Sequence, residues 1–237
     1  MTALVSPASP RQLPVLLRGE VAPVRSWVAE GNLARVTFHV AVILAGAGIY
    51  GAAIGLWRSG EQALFTAVKF PLILLLTTAG NALLNGVLAP LLGVNLSLRQ
   101  ASVAILLSFS LAATILAALA PLVLFLVWNV PPLTSPAVRD AYAVIQLSQV
   151  GLIAFAGIVA NVRLLQFLRD LAGSRAVALR LLIAWLAGNL LLGTQLTWIA
   201  RPFFGSPNLP VQFLREDALR GNFFESVLYN ARRLFTE

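Results

Sequence analysis

Residues 177–207 read VALRLLIAWLAGNLLLGTQLTWIARPFFGSP. The first part, Val177 to Ala200, is long and apolar enough to cross a bilayer, which takes about 20 mainly apolar residues as a helix. A cation then complements the exposed carbonyls at the helix end, and Pro202 stops the helix from continuing. Trp198, Phe203 and Phe204 supply the aromatic side chains that favour a membrane interface. Gly205-Ser206-Pro207 has the composition of a turn. The stretch therefore predicts a transmembrane helix that leaves the membrane through a sharp elbow, with Arg201, Pro202, Phe203, Phe204, Gly205 and Pro207 at the bend.

Four further runs of the same kind precede it: Val36 to Trp57, Phe70 to Leu92, Ala101 to Val130 and Ala141 to Ala160. The third would reach about 45 Å as a helix against a hydrocarbon core of about 30 Å. It must tilt, project from the bilayer or bend at Pro121. The connections, residues 58–69, 93–100, 131–140 and 170–176, are short and predict neighbouring helices. The expected fold is all-α, a polytopic transmembrane helix bundle of about five spans over 36–200. Residues 1–35 form an N-terminal tail before it, and 201–237 an amphipathic C-terminal segment after it.

Composition agrees. The 237 residues are 59% hydrophobic and only 11% charged, with mean hydropathy +0.85, where soluble domains carry about 25% charged residues. The net charge of +8 sits in segments between apolar runs, which suits anionic lipid headgroups and not nucleic acid. The absence of cysteine excludes disulfides, thiolate catalysis and cysteine-held metals or clusters.

Before the first span, Pro7, Pro10, Pro14 and Pro23 predict an irregular tail. Residues 24–35, VRSWVAEGNLAR, allow a short interfacial helix. The first span is expected to act as an uncleaved insertion signal. Cations flank both sides, with a slight excess on the side of the N-tail and residues 161–180, a weak bias toward a cytoplasmic N-terminus that the C-tail opposes; a re-entrant run would put both termini in the cytoplasm.

Inside the spans, Ala47, Gly51 and Gly55 recur at four-residue spacing. That face lets two helix backbones approach closely, in this chain or in a partner. Asn81 and Asn85 share a face of the second span. An amide facing lipid is costly, so these residues must turn inward. Their candidate partners are Asn189, Thr194 and Gln195 of the fifth span, or Gln146, Ser148 and Gln149 of the fourth. Such amides either bond helix to helix or line a conduit.

The chemistry available is limited. His39 is the sole histidine and is expected near the interface. A serine–histidine pair using it is conceivable, but no G-x-S-x-G nucleophile motif is present. No acid lies within an expected span, which disfavours ion-coupled transport. Neither a P-loop nor a dinucleotide fingerprint occurs. No catalytic residue, cofactor or metal is therefore assigned.

In the tail, residues 208–221 are expected to be helical from Pro210 to Gly221. Asn222 and Glu225 then cap a second helix. Leu219, Phe223, Val227, Ala231 and Leu234 make an apolar stripe, widened by Phe224, Leu228 and Phe235. This helix would lie in the headgroup layer, or dock on protein.

WIARPFFGSP, FLRED and GNFFE resemble the C-terminal region of uncharacterised bacterial multi-pass membrane proteins. FPLILLLTTAGNALLNGVLAPLLG is loosely similar to Yip-family membrane bundles. Neither resemblance implies an activity. The expected role is an accessory, scaffold or assembly component in a bacterial inner membrane, in contact with lipids and with other membrane subunits or a second copy. The alternative is a small-solute or lipid transporter lined by the intramembrane amides.

Overall fold

The computed structural model describes residues 6–94, 96–172 and 174–236. Among them are eight α-helices and no strand: α1 (Gln12–Arg18), α2 (Val21–Glu30), α3 (Leu33–Gly55), α4 (Gly60–Leu91), α5 (Leu98–Asn129), α6 (Val138–Ala172), α7 (Arg175–Ile199) and α8 (Phe223–Thr236). Five of these, α3 to α7, are long and apolar enough to cross a membrane.

Local chemistry sets the helix starts. The Asn32 side chain accepts from the amides of Ala34 and Arg35 at the head of α3. Ser59 accepts from the Gln62 amide at the head of α4. Ser97 and Gln100 form a reciprocal capping box on α5. Each satisfies donors that a helix N-terminus otherwise leaves bare.

Helices α3, α4 and α5 pack as a central group, with α6 against α5, and α7 in the groove between α4 and α6. Helix α5 runs unbroken through Pro121. At about 1.5 Å per residue its 32 residues span about 48 Å. Helix α4 begins ten residues before the expected span, so Lys69 lies inside a helix and is buried, not in a connection.

The N-terminal expectation needs correction. Residues 1–24 are not an irregular tail throughout: α1 and α2 pack against α5 and α6 and bury Gln12, Val15, Leu16, Trp27 and Val28. Pro14 and Pro23 are each the third residue of their helix. A first-turn amide has no helical acceptor, so proline removes nothing there. The expected 24–35 helix is also shifted. Gly31 closes α2 with φ 57°, a left-handed conformation that glycine adopts without steric cost, and Asn32 opens α3.

Alternation of direction places α1, α2, the α4–α5 connection and the α6–α7 connection at one end of the bundle. The α3–α4 and α5–α6 connections and the whole segment after α7 lie at the other.

Candidate functional site

The C-terminal segment is bound to its end of the bundle by main-chain acceptors. The carbonyl of Pro202 accepts from Gln62 Nε2 at 2.9 Å and from Lys69 Nζ at 3.0 Å. The carbonyl of Phe203 accepts from Gln62 Nε2 and from the Thr66 hydroxyl. Gln62, Thr66 and Lys69 recur at three- and four-residue spacing, so one face of α4 grips two consecutive peptide units. The Phe203 ring meets Phe70 edge-on, and Phe204 lies 4.9 Å from the Tyr142 ring. Both phenylalanines join the apolar cluster of α3, α5 and α6. Gly205 has φ 78°, and a Cβ there would fall 2.7 Å from Arg58 Cγ, so this turn position excludes larger residues.

Arg201 does more than end α7. Its guanidinium donates to the carbonyls of Trp198, Asp217, Ala218 and Arg220, pairs with the Asp217 carboxylate at 3.4 Å and stacks on the Trp198 ring at 4.1 Å. Trp198 Nε1 also donates to the Arg220 carbonyl. Arg58 donates to the Leu209 carbonyl. The expected helix from Pro210 to Gly221 is absent. The carbonyls of Asp217, Ala218 and Arg220 serve Arg201 and Trp198, while those of Arg215 and Asp217 accept from amides three residues on. Pro207 sits in the turn region that follows Gly205 and borders a cleft described below.

Helix α8 starts where the sequence places it. The Asn222 side chain accepts from the Glu225 amide and donates to the Glu225 carboxylate. Its docked side is mixed: Phe223, Val227 and Ala231 of the apolar stripe are half-buried, and Glu225 and Arg232 are exposed opposite them. Ser226 and Asn230 bond Gln146, and Arg233 pairs with Asp140 at 3.0 Å. These residues share one side of α8 and order it antiparallel along the first turns of α6. Phe224, Leu228 and Tyr229 are left exposed, while Phe223 is half-buried against Phe224. The side chains of Leu234 and Phe235 lie outside the described residues.

Cations crowd this end. Arg215 has its pKa held below the usual arginine value. Burial is the first cause; Arg201 and Arg58 push the same way, and Asp217 and Tyr142 oppose them. Lys69 lies over the Phe213 ring at 4.9 Å.

The small-residue face serves the chain itself. A Cβ on Gly51 would sit 2.5 Å from the Thr66 carbonyl oxygen, and one on Gly55 2.5 Å from Ala63 Cα. Ala47 is fully buried. Gly46, which four-residue spacing does not select, abuts the Ala113 carbonyl of α5 in the same way.

The amides meet in the α4–α7 seam. Asn81 Nδ2 donates to Asn189 Oδ1 and to the Trp185 carbonyl. Asn85 Nδ2 donates to the Asn81 carbonyl and side-chain oxygen. Gly188 makes room, since a Cβ there would lie 2.5 Å from Asn81 Oδ1. Gln195 is half-buried, two turns nearer the α7 exit, and does not join this cluster.

One buried polar group lies where no site was expected. His39, near the start of α3, is fully buried. Its Nδ1 is 2.8 Å from Ser110 Oγ, and its Nε2 is 3.3 Å from Gln12 Oε1. Arg35 Nε also donates to Gln12 Oε1 at 3.1 Å, and Arg35 pairs with Glu30. Gln12 Nε2 donates to the Ser6 carbonyl. Its Oε1 is thus the acceptor on the ring side, which assigns the proton to His39 Nε2 and leaves Nδ1 to accept from Ser110. A hydroxyl on an imidazole nitrogen is the arrangement of an activated nucleophile. Here Ser110, His39 and Gln12 are all fully buried beneath α1, so the cluster works as a pin joining α1, α3 and α5. Proline and glycine placement in 10–31 was the available signal: proline just inside each helix and Gly19 or Gly31 just past its end.

Neither a family model, nor a curated protein, nor a solved structure matches this chain.

Proposed function

We propose that the protein is a non-enzymatic accessory or assembly component of a membrane, and that its C-terminal face holds another membrane subunit. One observation carries this reading. Helix α8 is fixed to α6 through a mixed side, the polar bonds of Ser226, Asn230 and Arg233 beside half-buried Phe223, Val227 and Ala231, which leaves Phe224, Leu228 and Tyr229 exposed on a helix held in place. Large exposed apolar side chains on a held element suit a contact surface, because little ordering cost remains to be met on binding. The elbow adds to this rigidity with its bonds to α4 and α7.

The bonded amides of α4 and α7 favour this role over a conduit, since Asn81 and Asn189 direct their polar atoms at each other. The small-residue face is occupied within the chain, which leaves the C-terminal end as the surface for a partner. The setting we infer is a bacterial inner membrane.

The test is the mass and composition of the protein extracted directly into native nanodiscs. The reading expects a defined complex with a copurifying membrane protein, lost in Phe224→Arg and Leu228→Arg while the melting of the bundle is unchanged. A lone monomer in wild-type discs overturns it.

A further inference from the structure

A cleft of about 460 Å³ opens between the start of α6, the turn after the elbow and the inner side of α8. Its size is that of a small-ligand site. Two arginines, Arg139 and Arg233, line it, together with the phenols of Tyr142 and Tyr229 and with Ser226 and Asn230; no carboxylate does. Asp140, next to Arg139 in the chain, engages Arg233 at 3.0 Å. A guanidinium has five donors, so that contact leaves most of the Arg233 fork available. Arg139 is exposed and has no partner among the described residues.

The surroundings strengthen the bias. Tyr142 lies in the field of both Arg201 and Arg215, and Arg215 in that of Arg58. Asp217 and Asp140 are the acids paired with these cations. The cleft also opens at the N-terminal end of α6, where the helix dipole is positive. A concave site with an excess of one charge and low-dielectric walls concentrates counter-ions of the other sign. Two guanidiniums flanked by hydroxyl donors match the oxygens of a phosphate group, which bidentate arginine contacts favour over a point charge.

We propose that this cleft binds a phosphate group, carried either by the headgroup of an anionic phospholipid or by a free phosphate-bearing solute. The site shares Tyr229 with the exposed side of α8 but not Phe224 or Leu228, and it does not depend on the subunit-holding role. A bound phosphate would bridge α6 to α8 and hold the docked helix from within.

The test has two arms on the full-length protein. In the first, nanodiscs of three parts phosphatidylcholine to one part phosphatidylglycerol are followed by native mass spectrometry for a retained phosphatidylglycerol. In the second, delipidated protein in neutral detergent is titrated with inorganic phosphate and followed by 31P NMR. Retention in the first arm alone identifies a lipid headgroup; saturable binding in the second identifies a free phosphate. In whichever arm is positive, Arg139→Gln is expected to weaken binding about tenfold, the scale of one lost charge-assisted contact. Arg139→Lys should restore part of it. Arg175→Gln, at the opposite end, should leave it unchanged. No binding in either arm, or equal binding by Arg139→Gln and wild type, overturns the proposal.

Discussion

Gln12 satisfies two buried donors, His39 Nε2–H and Arg35 Nε–H, with one oxygen. Removing that oxygen leaves both without a partner, and an unsatisfied buried donor costs about 1–3 kcal/mol. Gln12→Leu is expected to destabilise the protein by about 3 kcal/mol. Thermal unfolding in detergent should show the loss, and hydrogen exchange should rise first in α1. Unchanged stability would mean that water reaches His39 without α1. Asn81 and Asn189 allow a cleaner measurement, because the contact joins two side chains. A double-mutant cycle with Asn81→Leu and Asn189→Leu should give a coupling of about 1 kcal/mol, in the range of interhelical hydrogen bonds in membranes. A coupling near zero would show that the amides do not meet. The need for Asn81 and Asn85 to face inward was legible in the sequence, since lipid penalises an amide whatever its neighbours. Gln12 was not, because a glutamine in a polar, proline-rich stretch carries no sign of burial until the helices around it are known.

Among the elements, α3 and α4 show how glycine decides approach. A Cβ at Gly51 would meet the main chain of α4, and backbone cannot yield as a flexible side chain can. Gly51→Leu should force the helices apart and cost at least about 2 kcal/mol. Gly151→Leu, where a Cβ meets nothing within 4 Å, should be neutral, and chemical denaturation compares the two. The spacing of Ala47, Gly51 and Gly55 made this seam visible in sequence, but not whether α4 or another chain would fill it. The five long helices were likewise legible, since length and apolarity suffice to define them. Two things were hidden for one shared reason, that contacts distant in sequence outrank local preference. Residues 210–221 do not form their expected helix, and the carbonyls of Asp217, Ala218 and Arg220 are held by Arg201 and Trp198 of the α7 exit. Helix α8 forms as expected yet turns Ser226, Asn230 and Arg233 to the bundle beside part of its apolar stripe, because Gln146 and Asp140 of α6 supply polar partners within what read as an apolar span and its flank.

For the whole molecule, five crossings put α1 and α2 at one end and the elbow with α8 at the other. The chain has no cysteine, so single cysteines can be introduced into the natural sequence. Arg18→Cys and Leu228→Cys should react with an impermeant maleimide from opposite sides of sealed vesicles; labelling of both from one side would contradict five crossings. The central claim is that the C-terminal segment is a fixed part of the bundle, and not a tail moving in the headgroup layer. Spin labels on Glu61→Cys, at the head of α4, and Leu228→Cys, on the exposed side of α8, measure this directly by pulsed electron–electron resonance in nanodiscs. A single narrow distance distribution is expected, broadened when Arg201→Ala removes the elbow's anchor. A broad distribution in the protein with Arg201 intact would contradict the account.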